Sequence, residues 1–328
     1  MLKRKSILFL LTVLFTLSAA FLSLRYGAAD MTLGELWATI LAGPKGGIIF
    51  YYARLPRTVA ALLAGAALSV SGCILQRLLG NHLASPGIIG VNAGAGFAVT
   101  VCCAMGALGG WSVSLSAFGG ALAAAFLVMG LARATGASRT TVILAGVAMN
   151  SILGALSDAV ITLVPEAGML SGEFRVGGFS AVSHTRLIPA GALILLSLLL
   201  VFTMMHELDV LSLGEDTAKS LGMNVGRIRT VFLLLAALLA GAAVSFAGLL
   251  GFVGLLIPHL CRRLIGTESR FLLPLSALAG AGFVTLCDVL ARVLFAPYEL
   301  YVGILLSLIG GPFFLFLLLR KRGGHGHA

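Results

Sequence analysis

Long apolar stretches separated by short polar punctuation dominate the chain. Runs such as Ile188–Met205 and Val231–Leu250 pass without a single charged residue. A membrane β-barrel would alternate apolar and polar positions in segments of about 10 residues, and these runs do not alternate. Backbone groups immersed in hydrocarbon must bond within their own segment, so unbroken runs predict helices. The pattern predicts spans at 6–25, 56–79, 91–108, 112–132, 140–163, 187–205, 228–249, 251–265, 271–293 and 301–319. The eighth is interrupted by Pro258. A spanning helix needs roughly 20 apolar residues. The expectation is therefore an all-α polytopic membrane bundle of about ten transmembrane helices, one domain over 1–328.

Composition narrows the classes. Hydrophobic residues make up 59% and charged residues 10%, against about 25% charged in a soluble domain. Five cysteines are too sparse, and the wrong parity, for a disulfide scaffold. Basic residues are unevenly shared between alternate loops. Fifteen, including Lys3, Arg4, Lys5, Arg77, Lys219 and Arg262, fall on the side of the N-terminus; seven fall opposite, namely Arg25, Lys45, Arg54, Arg57, Arg175, Arg186 and Arg292. The positive-inside rule then puts both termini in the cytoplasm. The net charge of +10 is mostly this topology signal, and no basic stripe suggests nucleic acid. The first apolar run is longer than the 7–15 residues of a signal-peptide core, so Ser6–Leu24 reads as a retained span. Gly90/Gly94 and Gly106/Gly110 have GxxxG spacing, which favours close helix approach but arises readily by chance among 42 glycines.

Two long loops remain, Tyr26–Leu55 outside and His206–Arg227 inside. The second holds a short amphipathic helix punctuated by Gly214 and Gly222. An interfacial helix would favour Lys and Arg on its polar face. This one begins with Glu215 and Asp216, which points to docking of a partner. Enzyme motifs are absent. Lys219-Ser220 lacks the two glycines of a phosphate-binding loop, having Ala218 and Leu213 instead. There is no G-x-S-x-G, no H-E-x-x-H and no CxxC pair. Cys102-Cys103 read as buried small hydrophobes, and His325 and His327 as part of a Gly-rich tail.

Several segments, in order along nearly the whole chain, resemble one family. They are Arg54–Gly96, Leu144–Asn150, Leu213–Val225, Gly248–Gly266 (with the Pro258-His259 pair), Leu272–Arg292 and Glu299–Leu318. Together they resemble the FecCD-type permeases, the transmembrane subunits of type II ABC importers for iron–siderophores, haem and cobalamin. The resemblance implies a permease in the cytoplasmic (inner) membrane that works as a pair, either a homodimer or two paralogues. It implies two partner ATPases, which carry ATP and Mg, and an extracytoplasmic substrate-binding protein. It implies no cofactor, metal or catalytic residue on this chain, and leaves the chelate unnamed. One motif departs from the family pattern: the usual Asn-Pro-Leu-Ala-Asp-Pro loop is Asn81-His82-Leu83-Ala84-Ser85-Pro86 here.

The resemblance also implies roles. Arg54, Arg57 and Arg292 would dock acidic residues of the binding protein, with interfacial snorkelling as the alternative. Leu213, Gly214, Glu215, Asp216, Lys219, Leu221, Gly222 and Met223 would couple to the ATPase, with the acids and Lys219 at the rim and Leu221 and Met223 at the buried centre. Asn150, Ser157, Asp158 and Thr162 share a helix face that would line the translocation path or else bond neighbouring helices. Asn81, Leu83, Arg139 and Thr140 would form a cytoplasmic gate. Asp288, one turn before Arg292, is placed for an ion pair. Two other classes compete. An ion-coupled secondary transporter would need intramembrane ionisable groups, for which only Asp158 qualifies. An intramembrane enzyme lacks its motifs.

Overall fold

The computed structural model describes residues 2–27, 31–134 and 139–322. The described chain is helical throughout, with no strand. Its helices are α1 (Leu2–Arg25), α2 (Leu33–Gly46), α3 (Leu55–Leu78), α4 (Val91–Ala104), α5 (Gly110–Ala134), α6 (Arg139–Leu163), α7 (Pro165–Val176), α8 (His184–Thr203), α9 (Met205–Ser212), α10 (Glu215–Ser220), α11 (Val225–Ala247), α12 (Val253–Ile265), α13 (Ser269–Val293) and α14 (Val302–Arg322). A π-helical turn at Phe50–Arg54 leads into α3, and a 3-10 turn at Pro86–Ile89 into α4.

Each predicted span coincides with a helix, but seven of them are long and apolar enough to cross a membrane among the described residues. Val91–Ala104 and Val302–Phe316 are shorter apolar helices. α12 has 13 residues, because the chain before it is unwound: Gly248 has φ +69° and Phe252, at the helix start, φ +64°.

The centre of the bundle is α3, α11 and α13. In the apolar windows of the first two, 78% of positions are buried, against 11% in α1 and 22% in α6. α3 reaches this by replacing side chains with backbone contact. A Cβ on Gly72 would stand 2.0 Å from the Gly254 carbonyl oxygen, and one on Gly65 would stand 2.2 Å from that of Gly280. Without those methyls α3 lies directly on α12 and α13, which is how helices associate when lipid supplies no hydrophobic drive. The GxxxG reading holds for one glycine. Gly94 approaches the Gly120 carbonyl of α5, whereas Gly106 lies in a turn with φ +72° and open space around it. α1 lies along α13, with Thr16 Oγ1 donating to Leu278 O at 2.9 Å.

Two connections hold more structure than a loop. The Tyr26–Leu55 stretch contains α2, started by a reciprocal cap in which Thr32 N–H donates to Glu35 and Glu35 N–H donates to Thr32 Oγ1. Pro165 opens α7, a helix its mixed composition hid. The His206–Arg227 loop folds as expected into short helices, α9 and α10.

Candidate functional site: two ends of the bundle and an exposed helix

At the end of the bundle where α3 begins and α13 finishes, two arginines, Arg57 and Arg292, meet one carboxylate, and Arg54 lies nearby on the end of α1. Asp288 is 1% exposed. Arg57 meets it through Nη2 on Oδ1 at 3.0 Å and Nε on Oδ2 at 3.2 Å, the bidentate fork of guanidinium on carboxylate. Arg292 pairs with Oδ2 at 3.1 Å, one turn along α13, as the sequence spacing allowed. Arg57 also reaches Glu299 at 2.9 Å.

Docking to a binding protein was implied by the resemblance for Arg54, Arg57 and Arg292; in the structure two of the three turn inward. Arg54 and Arg292 are buried. Arg54 Nη1 donates to the carbonyls of Leu24 and Arg25 at 2.9 and 2.6 Å, and Arg292 Nη1 to that of Tyr26 at 3.0 Å. The reason is local. The last carbonyls of α1 have no partner in their own helix, and a cation at a helix C-terminus also answers its dipole. Arg57 is the member of the three that borders open space, a cleft of about 300 Å³ shared with Glu173, Ser180, Glu299 and Tyr301.

The opposite end carries α9 and α10. Asp209 accepts from Arg77 of α3 and from the Ser269 amide that opens α13, the latter at 3.0 Å. Glu215 is not a free rim group as the sequence suggested, because its carboxylate pairs with Arg229 of α11. Met223 is half-buried against the core. Leu213 and Leu221 are 64% and 65% exposed, while Ala218 is fully buried. Asp216 and Lys219 are exposed beside them. Gly214 and Gly222, with φ of +111° and +81°, make the two turns that bracket α10. The outward surface is therefore two large apolar side chains, bordered by one acid and one base, on a helix tied down from behind.

The expected gate residues are only partly assembled. Asn81 Oδ1 accepts the Leu83 amide at 2.9 Å, which fixes the turn after α3. Leu83 is exposed and lines a small apolar hollow with His82, Phe252, His259 and Phe313. His259 packs edge-on to Phe313 there. Thr140 is exposed at the start of α6; the Arg139 side chain lies outside the described residues, as do His325 and His327. Two partners were missed. Arg262 of α12 donates to His82 Nδ1 at 2.6 Å, so His82 is held by an arginine. Gln76, 1% exposed, accepts from Arg262 and donates to the Gly254 carbonyl at 2.9 Å. A lone glutamine inside an apolar span was the available signal.

The polar stripe on α6 is not one open face. Asn150 Nδ2 donates to the Gly87 carbonyl at 2.8 Å, holding the 3-10 turn against α6. Ser157 is buried and bonds within its own helix, as Thr162 does. Asp158 is exposed and has Arg175 of α7 at 4.0 Å, a neighbour 17 positions on that sequence reading did not find. α6 as a whole presents an apolar surface, with Leu144, Val147, Ile152 and Leu163 all more than half exposed. The five cysteines are free and buried. Among the described residues no three His, Cys, Asp or Glu gather as a metal site.

Comparison with known proteins agrees with this arrangement. Residues 12–320 match the FecCD transport family. The chain is 38% identical over 321 residues to the hemin transport system permease protein HmuU of Yersinia pestis, covering 96% of this chain and 95% of that one. It is 40% identical to the iron(3+)-hydroxamate import system permease protein FhuB of Bacillus subtilis (strain 168), covering 93% and 81%. A solved metal-chelate type ABC transporter in an inward-facing conformation superposes with a TM-score of 0.86 at 29% identity, covering 96% and 99%. The chain belongs to the FecCD transport family.

Proposed function

We propose that this chain is the permease subunit of an ATP-driven importer, moving an iron chelate or a related metal–tetrapyrrole across the inner membrane. It would cross the membrane about ten times with both termini in the cytoplasm. It would pair with a second permease subunit, which the exposed apolar face of α6 supports. Two separate ATPases would supply the energy, and a binding protein would deliver the substrate at the end that carries Arg57.

The observation that carries this reading is the way α9 and α10 are fastened. Asp209 ties them to α3 through Arg77, and Glu215 ties them to α11 through Arg229. Those are two of the three central helices, so a push on α10 reaches the core of the bundle through charged links. Meanwhile Leu213 and Leu221 remain outward. Apolar side chains central to a contact carry most of its energy, and rim charges less. A helix fastened inward by ion pairs and apolar outward supports a coupling surface for an ATPase.

The test is Leu221→Asp against Lys219→Ala. The first puts a charge where a partner pocket would hold an alkyl group; the second trims the rim. Reconstituted with the ATPases and binding protein, Leu221→Asp is expected to lose ATPase co-purification and substrate-stimulated hydrolysis, roughly tenfold or more, since about 1.4 kcal/mol is tenfold in affinity. Lys219→Ala should retain most of both. Normal transport by Leu221→Asp would remove α10 as the coupling element.

A further inference from the structure

We propose that a groove between α5 and α8 is a binding site for one glycerophospholipid, with its phosphate on Arg186 and an acyl chain along the groove. The proposal rests on the membrane reading but not on transport. α5 and α8 both pack on α11 and scarcely on each other, so they leave a trough of about 170 Å³ floored by α11. Trp111, Phe118 and Leu193 line it, and Trp111 is half exposed.

Three observations fix the occupant's chemistry and its direction. Arg186 stands at the start of α5, where a Cβ on Gly110 would lie 3.1 Å from its guanidinium carbon. Its Nε donates to Ser183 Oγ at 3.1 Å and Nη2 to the Ala181 carbonyl, both neutral acceptors. Glu173 lines the adjoining cleft, but among the described residues no carboxylate lies within ion-pair distance of Arg186. Of the five N–H donors of a guanidinium, most are thus left for an anion. It lies beside the N-terminus of α5, which favours negative charge.

The second observation is Ser114. It is 6% exposed, lines the trough, and its hydroxyl has no partner in the protein. A buried hydroxyl without a hydrogen bond is costly in an apolar setting. Ser114 is one turn below Gly110, about 6 Å along the helix axis. That is the depth at which a lipid whose phosphate sits at Arg186 presents its ester carbonyl, an acceptor for the orphan O–H. The third is the apolar lining at Phe118 and Leu193, one turn deeper again, where the chain would run. Trp111 at the rim matches the belt of indoles at the membrane interface.

The experiment uses Trp111 as the probe. The chain has two tryptophans, so Trp37→Phe leaves one reporter. The purified protein in detergent is titrated with phosphatidylglycerol brominated on its acyl chains, which quenches nearby indole. Saturable quenching is expected. Arg186→Gln should weaken it about tenfold, the usual loss for a charge-assisted bond. Ser114→Ala should weaken it about threefold while leaving thermal unfolding unchanged, since that hydroxyl bonds nothing in the protein. Ala190→Phe, a groove-lining change that leaves Arg186 and Trp111 in place, should block quenching of Trp111 by filling the trough. Quenching linear in lipid and unmoved by Arg186→Gln would mean bulk lipid and overturn the proposal. Equal quenching by brominated diacylglycerol, which lacks phosphate, would overturn the role of Arg186. Quenching that disappears as protein concentration rises would assign the groove to a second copy of the chain instead.

Discussion

Replacing Asp288 with Asn removes a single negative charge from a place where two arginines converge. In the native protein Arg57 holds the carboxylate with two nitrogens at 3.0 and 3.2 Å and Arg292 holds it at 3.1 Å. The carboxylate is 1% exposed and the Arg292 side chain 3%. After the change Arg57 keeps Glu299 at 2.9 Å, while Arg292 keeps neutral acceptors: Ser23 Oγ at 2.9 Å and the Tyr26 carbonyl at 3.0 Å. Removing one partner of a buried pair costs about 3–5 kcal/mol because the other charge stays behind. Since one of the two arginines retains a carboxylate, the lower value of about 3 kcal/mol is expected. The double variant Asp288→Asn with Arg292→Met removes the stranded charge and should recover part of the loss, giving a coupling energy of about 1–3 kcal/mol in the cycle. Unfolding of the purified protein in detergent can be followed with a fluorogenic maleimide, because all five cysteines are buried. A loss under about 1 kcal/mol for Asp288→Asn, or strict additivity in the cycle, would refute the idea that this cluster holds α1, α3 and α13 together.

Other outcomes follow from single contacts. Gly72→Ala should destabilise the fold by about 1–3 kcal/mol, because its Cβ would meet backbone atoms of Gly254 at 2.0 and 2.6 Å; Gly34→Ala, with nothing within 4 Å, is the matched control in the same unfolding assay. At the start of α2, the Thr32 amide and hydroxyl hold the Glu35 carboxyl below its ordinary range. A depressed folded value stabilises the helix above the unfolded pKa and loses that stabilisation as pH falls through the folded one. Hydrogen-exchange protection of the first turn of α2 should therefore fall on acidification, and Glu35→Gln should abolish that dependence; a native profile unchanged between neutral and acid pH would discount the cap.

The helices were legible because their apolar runs are long and their neighbours polar. What lay hidden was of two kinds. Short helices left no apolar run, so α2 and α7 read as loop. Long-range pairs left no spacing to read: Arg57 and Asp288 are 231 positions apart, and Arg262 and His82 are 180 apart. The His206–Arg227 loop shows both kinds together. Its amphipathic helix and its glycine turns were visible, but the partner of Glu215 was not, because Arg229 reads as one more cytoplasmic positive charge.

The arginines show why composition misleads at a bundle's edge. An arginine bordering an apolar run suggests a group reaching for water or for a docking partner. That inference counts the charge and overlooks the backbone. α1 ends at Arg25, and its last carbonyls need donors. Arg54 and Arg292 donate to the carbonyls of Leu24, Arg25 and Tyr26 from 29 to 266 positions away. Guanidinium is suited to this, since its several N–H groups can serve two or three carbonyls and a carboxylate from one site. Once Arg292 is committed to Ser23, Tyr26 and Asp288, it fixes the end of α1 against α13. Arg57, joined to the same carboxylate but open on its far side, is then the group through which a charge arriving from outside would be felt by all three helices.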